Sequence, residues 1–207
     1  MARAIGRGTD RDMKLVADFS FRDPAGRVWP APTGSVINGA SIPEPLWSTV
    51  GCPYTDDYRR ASVVHDVACG TPGIVRKEAD EMFYHACLAG GCGEMQARIL
   101  YAGVRIGAWM GEGRAAQAAP GVEGAPGVGM MMAKGRIAVR KPGKPSETER
   151  QAVIAKFGKM SAELQKLPKK AGFAEFDAVI EKHLGRAGAA KAAPRVVAKK
   201  AVRRKAG

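Results

Sequence analysis

The chain has 207 residues, of which 45% are hydrophobic and 26% are charged, and its formal net charge at pH 7 is +13. This length suits one domain of ordinary size or two small ones, and the composition argues against a coiled coil, a repeat array or a collagen-like chain. No apolar run approaches the ~20 residues of a membrane-spanning helix. The polar, basic start lacks the apolar core of a secretory signal, so we expect a cytoplasmic protein with no transmembrane segment.

The positive charge is confined to the second part of the chain. Residues 1–112 hold 12 basic and 13 acidic side chains, whereas residues 113–207 hold 21 basic and 7 acidic side chains. This asymmetry is typical of a near-neutral folded domain followed by a basic extension. All four cysteines lie in the first part, and without a secretory signal we expect reduced thiols.

Residues 13–42 predict short strands that form a small antiparallel sheet. Strand formers are frequent over 15–21, and a turn at Asp23-Pro24-Ala25-Gly26 leads back through 27–29, so we expect a hairpin. A third strand is predicted over 35–37.

The pattern becomes helical after residue 54. Apolar residues at helical spacing predict a helix from Asp56 or Asp57 to about Ala68, a second over 75–88 and a third over 94–109. A short glycine turn joins the first two helices, so we expect them to pack antiparallel. This arrangement brings the middle of the first helix close to the start of the second.

The predicted fold is therefore α+β, with further segments after the first domain. We expect an α+β domain over 1–112, a flexible Gly/Ala/Pro/Met-rich linker over 113–145, a helical hairpin over 146–185 and a basic disordered tail over 186–207. Ser146 and Glu149 form a capping box at the start of the hairpin. A hairpin of this size is marginal alone and is expected to dock or to self-associate.

The sharpest chemical prediction concerns His65, Asp66 and Asp80. Across the helical hairpin, Asp80 can reach one ring nitrogen of His65 and leave the other as a general base. Asp66 points about 100° away around the helix and can hold a cation such as Ca²⁺, with further oxygen ligands from a loop at Asn38 or at Gly51. Such a set suits metal-assisted hydrolysis.

Other interpretations of the same residues remain open. The His65-Asp66 pair can be a satisfied or surface pair, and Asp80 can pair with Arg76 four residues earlier. Zinc can bind cysteines together with His65 or His85, and Cys69 can act as a nucleophile. The cysteines of the zinc alternative are Cys69, Cys87 and Cys92.

Two resemblances extend this interpretation. The segment Asn38-Gly39-Ala40-Ser41-Ile42-Pro43, followed by His65-Asp66 and Ala79-Asp80, resembles a family of unknown function found in tailed phages and prophages. That resemblance covers about residues 13–110 and implies a phage setting, with the protein in the host cytoplasm or associated with the virion. The helix pair is also similar to phospholipase A2, which implies His65 as base, Asp66 as calcium ligand and Asp80 as the partner of the histidine. Cys69 stands where that family often has tyrosine.

The basic tail carries the second functional prediction. Its cations have few acidic neighbours and can neutralise phosphates without sequence preference, or bind an anionic lipid surface. The predicted nucleic-acid-binding residues are Lys191, Arg195, Lys199, Lys200, Arg203, Arg204 and Lys205. No aromatic residue lies among them, so base stacking is not expected in the tail. The function hypotheses are therefore a metal-assisted hydrolase, a nucleic-acid-binding module, and a phage structural component whose hairpin docks a partner.

Overall fold

The computed structural model describes residues 2–4, 12–51, 56–111, 132–133, 136–137 and 146–185. It has an α+β fold, as predicted, with small antiparallel sheets at the N-terminus followed by several helices. The predicted tail and all but four residues of the predicted linker lie outside the described residues.

The N-terminal strands form two small sheets instead of the single sheet predicted. The strands are β1 (Ala2–Ala4), β2 (Met13–Leu15), β3 (Phe19–Arg22), β4 (Val28–Ala31) and β5 (Val36–Ile37). The predicted hairpin is present as β3 and β4, but it begins at Phe19. Leu15 belongs to β2, which lies between β1 and β5 in a second sheet because its backbone pairs with Val36–Ile37.

Four helices follow, and three of them match the helical spacing of the sequence. They are α1 (Trp47–Val50), α2 (Arg59–Gly70), α3 (Arg76–Gly90) and α4 (Glu94–Met110). Gly73 takes a positive φ of 82° in the turn between α2 and α3, a conformation that favours glycine. The short α1, with the 3-10 turn at Glu44–Leu46 before it, was not predicted.

The C-terminal hairpin packs against α4 of the same chain. The pair β6 (Met132–Ala133) and β7 (Arg136–Ile137) precedes α5 (Glu147–Lys166) and α6 (Phe173–His183). The predicted capping box is present, since the Ser146 hydroxyl accepts from the Glu149 amide and the Glu149 side chain accepts from the Ser146 amide. Phe157, Met160 and Phe176 are buried in the same core as the first domain, so docking, one of the two predicted outcomes, is observed.

Arg98 of α4 holds the connection between α5 and α6. Its guanidinium donates to the carbonyl oxygens of Pro168, Lys169 and Ala171 at 3.2, 3.0 and 2.9 Å, and the side chain is fully buried. These carbonyls lie just after α5, where backbone acceptors lose their helical partners. Within the described ranges, none of the helices combines the length and the apolar character needed to cross a lipid bilayer.

Candidate functional site

The turn between α2 and α3 brings His65 and Asp80 into contact. Nε2 of His65 lies 2.8 Å from Oδ1 of Asp80, and both side chains are fully buried. His65 lies on the inner face of α2, and Asp80 lies in the second turn of α3. The antiparallel packing of the two helices produces the contact that the sequence predicted.

Asp80 also accepts hydrogen bonds from two arginines. Nε of Arg76 lies 2.9 Å from Oδ1, and Nη1 of Arg105 lies 3.0 Å from Oδ2. Burial alone would raise the pKa of Asp80, but Arg76, His65 and Arg105 together hold this pKa below its usual value. The carboxylate is therefore ionised, and the alternative pairing with Arg76 exists alongside the histidine contact.

Protein atoms surround the imidazole of His65. Burial lowers its pKa, so the ring is neutral at pH 7 and its Nε2–H donates to Asp80. This assignment leaves a lone pair on Nδ1, the atom that a general base would use. Sγ of Cys69 lies 3.5 Å from Nε2 and 3.9 Å from Nδ1, and the Phe83 ring centroid is 4.8 Å from that of His65. The thiol therefore lies against the ring and nearer to Nε2 than to Nδ1, and the predicted base role stays a prediction.

Asp66 faces the loop that follows β5, as its position on the helix suggested. Its Oδ2 accepts from the backbone N–H of Asn38 at 2.5 Å and from that of Gly39 at 3.3 Å. Burial raises the pKa of Asp66 to about 6, against the opposing effect of these two donors. The loop therefore presents amide donors to Oδ2, and a calcium ion would have to bind through Oδ1. The roles of Asp66 and Asn38 as metal ligands stay predictions.

His65, Cys69 and Asp80 offer one donor atom each within 4.8 Å of one another. Two guanidiniums already neutralise Asp80, and burial raises the pKa of Cys69 to about 12. A divalent cation would add positive charge beside Arg76 and Arg105, so we interpret the group as a hydrogen-bonded part of the core. Cys87 and Cys92 are buried thiols that do not join this group, and Cys52 lies outside the described residues.

Tertiary packing extends the network to residues that the sequence analysis missed. Nη2 of Arg105 donates to Oε1 of Glu181 on α6. Nearby, Nζ of Lys77 lies 2.7 Å from Oδ2 of Asp177, and the Tyr101 hydroxyl donates to Oδ1 of Asp177 at 2.7 Å. A line of hydrogen bonds and ion pairs therefore runs from His65 of α2 to the C-terminal hairpin. Arg98 and Arg105, seven residues apart and the two charged residues of α4 after Glu94, were the signal that one face of this helix has buried polar partners.

Two surface cavities lie away from His65. The acidic cavity, of about 340 Å³, includes Asp23, Glu78, Glu81 and His85 in its lining. The second cavity, of about 390 Å³, lies between β3, the start of α2 and the end of α3. We call it the Phe–Arg groove after four of its lining residues, which are Phe19, Phe21, Arg59 and Arg60.

Comparisons with known proteins match part of this chain. Residues 13–104 match the model of a family described as a protein of unknown function, DUF1353. The uncharacterized protein y4jT of Sinorhizobium fredii (strain NBRC 101917 / NGR234) is 41% identical over 88 residues, which are 42% of this chain and 26% of that protein. The uncharacterized protein y4iH of the same strain is 38% identical over 87 residues, 42% of this chain and 36% of that protein. No solved structure matches.

The chain thus spans about a quarter of the first relative and about a third of the second. The resemblance to a family of unknown function is confirmed over residues 13–104. His65, Asp66 and Asp80 lie inside the matched residues, whereas Arg105 and Glu181 follow them. The seven predicted nucleic-acid-binding residues of the tail lie outside the described part of the chain.

Proposed function

We propose that this chain is a non-enzymatic module that binds nucleic acid through its phosphates, with the folded residues as a scaffold. The supporting observation is the charge distribution, since residues 113–207 carry 21 basic and 7 acidic side chains. Residues 186–207 contain eight lysines and arginines and no acidic residue. The burial of His65 beside a thiol also favours a scaffold over an enzyme.

Binding of this kind is electrostatic and has no sequence preference. Each lysine or arginine that neutralises a phosphate releases condensed counterions, so affinity falls as salt rises, with a slope of about −0.9 per contact on duplex DNA. The tail residues carry no aromatic rings, so the tail itself contributes charge and not base stacking.

The test is the salt dependence of binding to a labelled DNA duplex by the full chain. In the test variant, glutamine replaces the seven predicted cations, which are Lys191, Arg195, Lys199, Lys200, Arg203, Arg204 and Lys205. We expect the slope of log affinity against log salt to become shallower by several units. The matched control replaces Lys159, Lys166 and Lys169, exposed cations of the folded hairpin, and should keep most of the slope.

Two results would overturn the proposal. An unchanged slope in the tail variant would show that these cations do not neutralise phosphates. Stronger binding to phosphatidylserine vesicles than to DNA at the same salt would assign the basic residues to a lipid surface instead.

A metal-assisted ester hydrolase is the second candidate, favoured by the 2.8 Å contact between His65 and Asp80. In this proposal His65 is the base, Asp80 orients it, and Asp66 binds Ca²⁺ near Asn38. Activity would require the packing around the buried imidazole to open so that a substrate reaches Nδ1 of His65.

Hydrolysis of ester and phospholipid substrates with added Ca²⁺ tests this candidate. We expect His65→Ala to abolish turnover and Asp66→Asn to abolish its calcium dependence. His85→Ala is the matched control, because His85 lies on the outer side of α3 and lines the acidic cavity. A wild-type protein without turnover in the presence of Ca²⁺ or Zn²⁺ would exclude the hydrolase.

A phage setting and a role in virion assembly stay predictions from the sequence resemblance. The hairpin that was expected to dock a partner already buries Phe157, Met160 and Phe176 against its own chain. A phage partner would therefore have to bind another surface, and co-sedimentation of the chain with purified phage particles would test this role.

A further inference from the structure

We propose that the Phe–Arg groove binds unstacked bases of single-stranded nucleic acid; this inference rests on the proposed function and names its preferred substrate. The groove has a volume of about 390 Å³, within the usual range of small-ligand sites. It combines aromatic rings, a floor of small apolar side chains and two cations. The tail supplies charge alone, whereas this groove offers rings that can contact a base.

The aromatic wall comes from one face of β3. Phe19 and Phe21 are half-buried and alternate with the exposed Ser20 and Arg22, so both rings project from the same side of the strand. Two positions along a strand are separated by about 7 Å, which allows each ring to contact a different base. Among the described residues, no ring–ring or cation–ring contact involves Phe19 or Phe21.

The floor is formed by α2 and α3. Ala61, Val64 and Ala86 are buried there, and their small side chains leave room for a flat ligand against the phenylalanine rings. Stacking on an aromatic ring does not depend on base identity, because every base has a flat face. This groove therefore suits an unpaired base, whereas a duplex hides its base faces.

The cationic rim comes from the first turn of α2. Arg59 and Arg60 are exposed, and the first turn of this helix contains no acidic residue. The partial positive charge of a helix N-terminus adds to theirs, so the rim attracts phosphate. Asp57 is the opposing charge in the lining, and a Cβ on Gly91 would lie 3.6 Å from its carboxyl carbon, so Asp57 lies at the α3 end of the groove.

The acidic cavity provides a contrast, because it also contains an aromatic ring and an arginine but does not suit a nucleotide. There, Asp23, Glu78 and Glu81 would repel phosphate, and the Arg27 guanidinium already covers the Trp29 ring at 3.9 Å from its centroid. Of the two cavities described, only the Phe–Arg groove has aromatic rings that no cation covers.

The experiment measures binding of the full chain to a fluorescein-labelled oligothymidine and to a duplex of equal length. The double variant Phe19→Leu/Phe21→Leu removes the aromatic faces and keeps apolar contact with α2. We expect it to lose about 10-fold or more in affinity for the single strand and to bind the duplex as the wild type does. Arg60→Gln should reduce the salt slope for the single strand by about 0.7.

Arg22→Gln is the matched control, because Arg22 is an exposed cation on the opposite face of the same strand. It should change neither affinity. Thermal unfolding of each variant establishes that the fold is intact. Two results would overturn the proposal for the groove. One is equal affinity of the wild type and the leucine variant for the single strand, and the other is an equal loss of affinity for the single strand and the duplex. Preferential binding of an acidic aromatic peptide over the oligonucleotide would also overturn it.

The two proposals fail in different ways. If the tail does not bind phosphates, the salt slope of binding is unchanged after neutralisation of the cations in residues 186–207. If the groove does not bind bases, the preference for single strands is unchanged after the phenylalanine substitutions, and this result does not depend on the salt slope of the tail.

Discussion

Nε2 of His65 donates to Oδ1 of Asp80 across 2.8 Å, and neither side chain reaches solvent. The same pair of groups at the same distance can orient a catalytic base when one ring nitrogen faces a cavity. In this protein Cys69 and Phe83 lie against the imidazole ring. The Asp80 carboxylate is also paired with two guanidiniums. The contact therefore joins α2, α3 and α4 as part of the core.

Removing the charge of Asp80 should strongly destabilise the protein. Asp80→Asn leaves the guanidiniums of Arg76 and Arg105 without the anion that compensates their burial. Loss of one partner from a buried ionic network costs about 3–5 kcal/mol. Equilibrium unfolding in urea measures this change.

Glu78→Gln is the control for Asp80→Asn. Glu78 pairs with Arg27 on the surface, with both side chains substantially exposed, so its loss should cost at most about 1 kcal/mol. Equal effects of the two substitutions would show that the Asp80 network is not a stabilising part of the core.

Arg98→Met should loosen the C-terminal hairpin. The methionine keeps the apolar stem but removes the donors to three carbonyls after α5, with an expected cost of about 2–4 kcal/mol. Hydrogen exchange should accelerate in α5 and α6 more than in α2. Lys182→Gln, which removes an exposed pair with Glu163, should leave this exchange pattern unchanged. Unaltered exchange in α5 and α6 of the Arg98 variant would contradict the anchoring role.

Asp66 should make stability depend on pH in a recognisable direction. Its pKa is about 6 in the folded protein and 3.8 ordinarily, so the folded state binds the proton more tightly than the unfolded state. The contribution of this carboxyl to stability is present below the ordinary pKa and is lost as pH rises through about 6. Stability of the wild type relative to Asp66→Asn should therefore fall between about pH 4 and pH 6.

The lowered pKa of His65 acts in the opposite direction, since its contribution is lost as pH falls below 6.5. Both proteins contain His65, so the difference between them isolates Asp66. Urea unfolding at a series of pH values measures that difference, and a constant value would refute the assigned burial of Asp66.

Two glycine substitutions should have opposite effects. A Cβ on Gly90 would lie 2.3 Å from the carbonyl oxygen of Asp57, so Gly90→Ala forces the backbone apart and should cost about 1–3 kcal/mol. Gly158 lies within α5 with no atom near its Cβ position, so Gly158→Ala should stabilise by about 1 kcal/mol. Thermal unfolding compares the two, and stabilisation by Gly90→Ala would disprove the close approach.

Local patterns predicted much of the first domain. Periodicity placed α2, α3 and α4 within a few residues of their ends, because apolar side chains at helical spacing must face a common core. The Ser146–Glu149 capping box fixed the start of α5. The sequence also predicted the contact between His65 and Asp80, since a short glycine turn leaves two helices few ways to pack.

Strand pairing and site access required the tertiary structure. Leu15 could have continued the β3 hairpin, but long-range hydrogen bonding assigns it to a different sheet. Residue spacing also carries no information on how many neighbours a side chain has. The covering of His65 by Cys69, and the reach of Glu181 to Arg105 from 76 residues along the chain, follow from packing alone.

The sequence by itself therefore determined the α+β fold, the order of the helices and the separation of charge, because these follow from local propensity and composition. The three-dimensional packing decided that the imidazole is enclosed and that the second helical pair joins the first core. It also decided that two rings and two arginines share a groove, since contacts between distant segments depend on the shape of the whole fold.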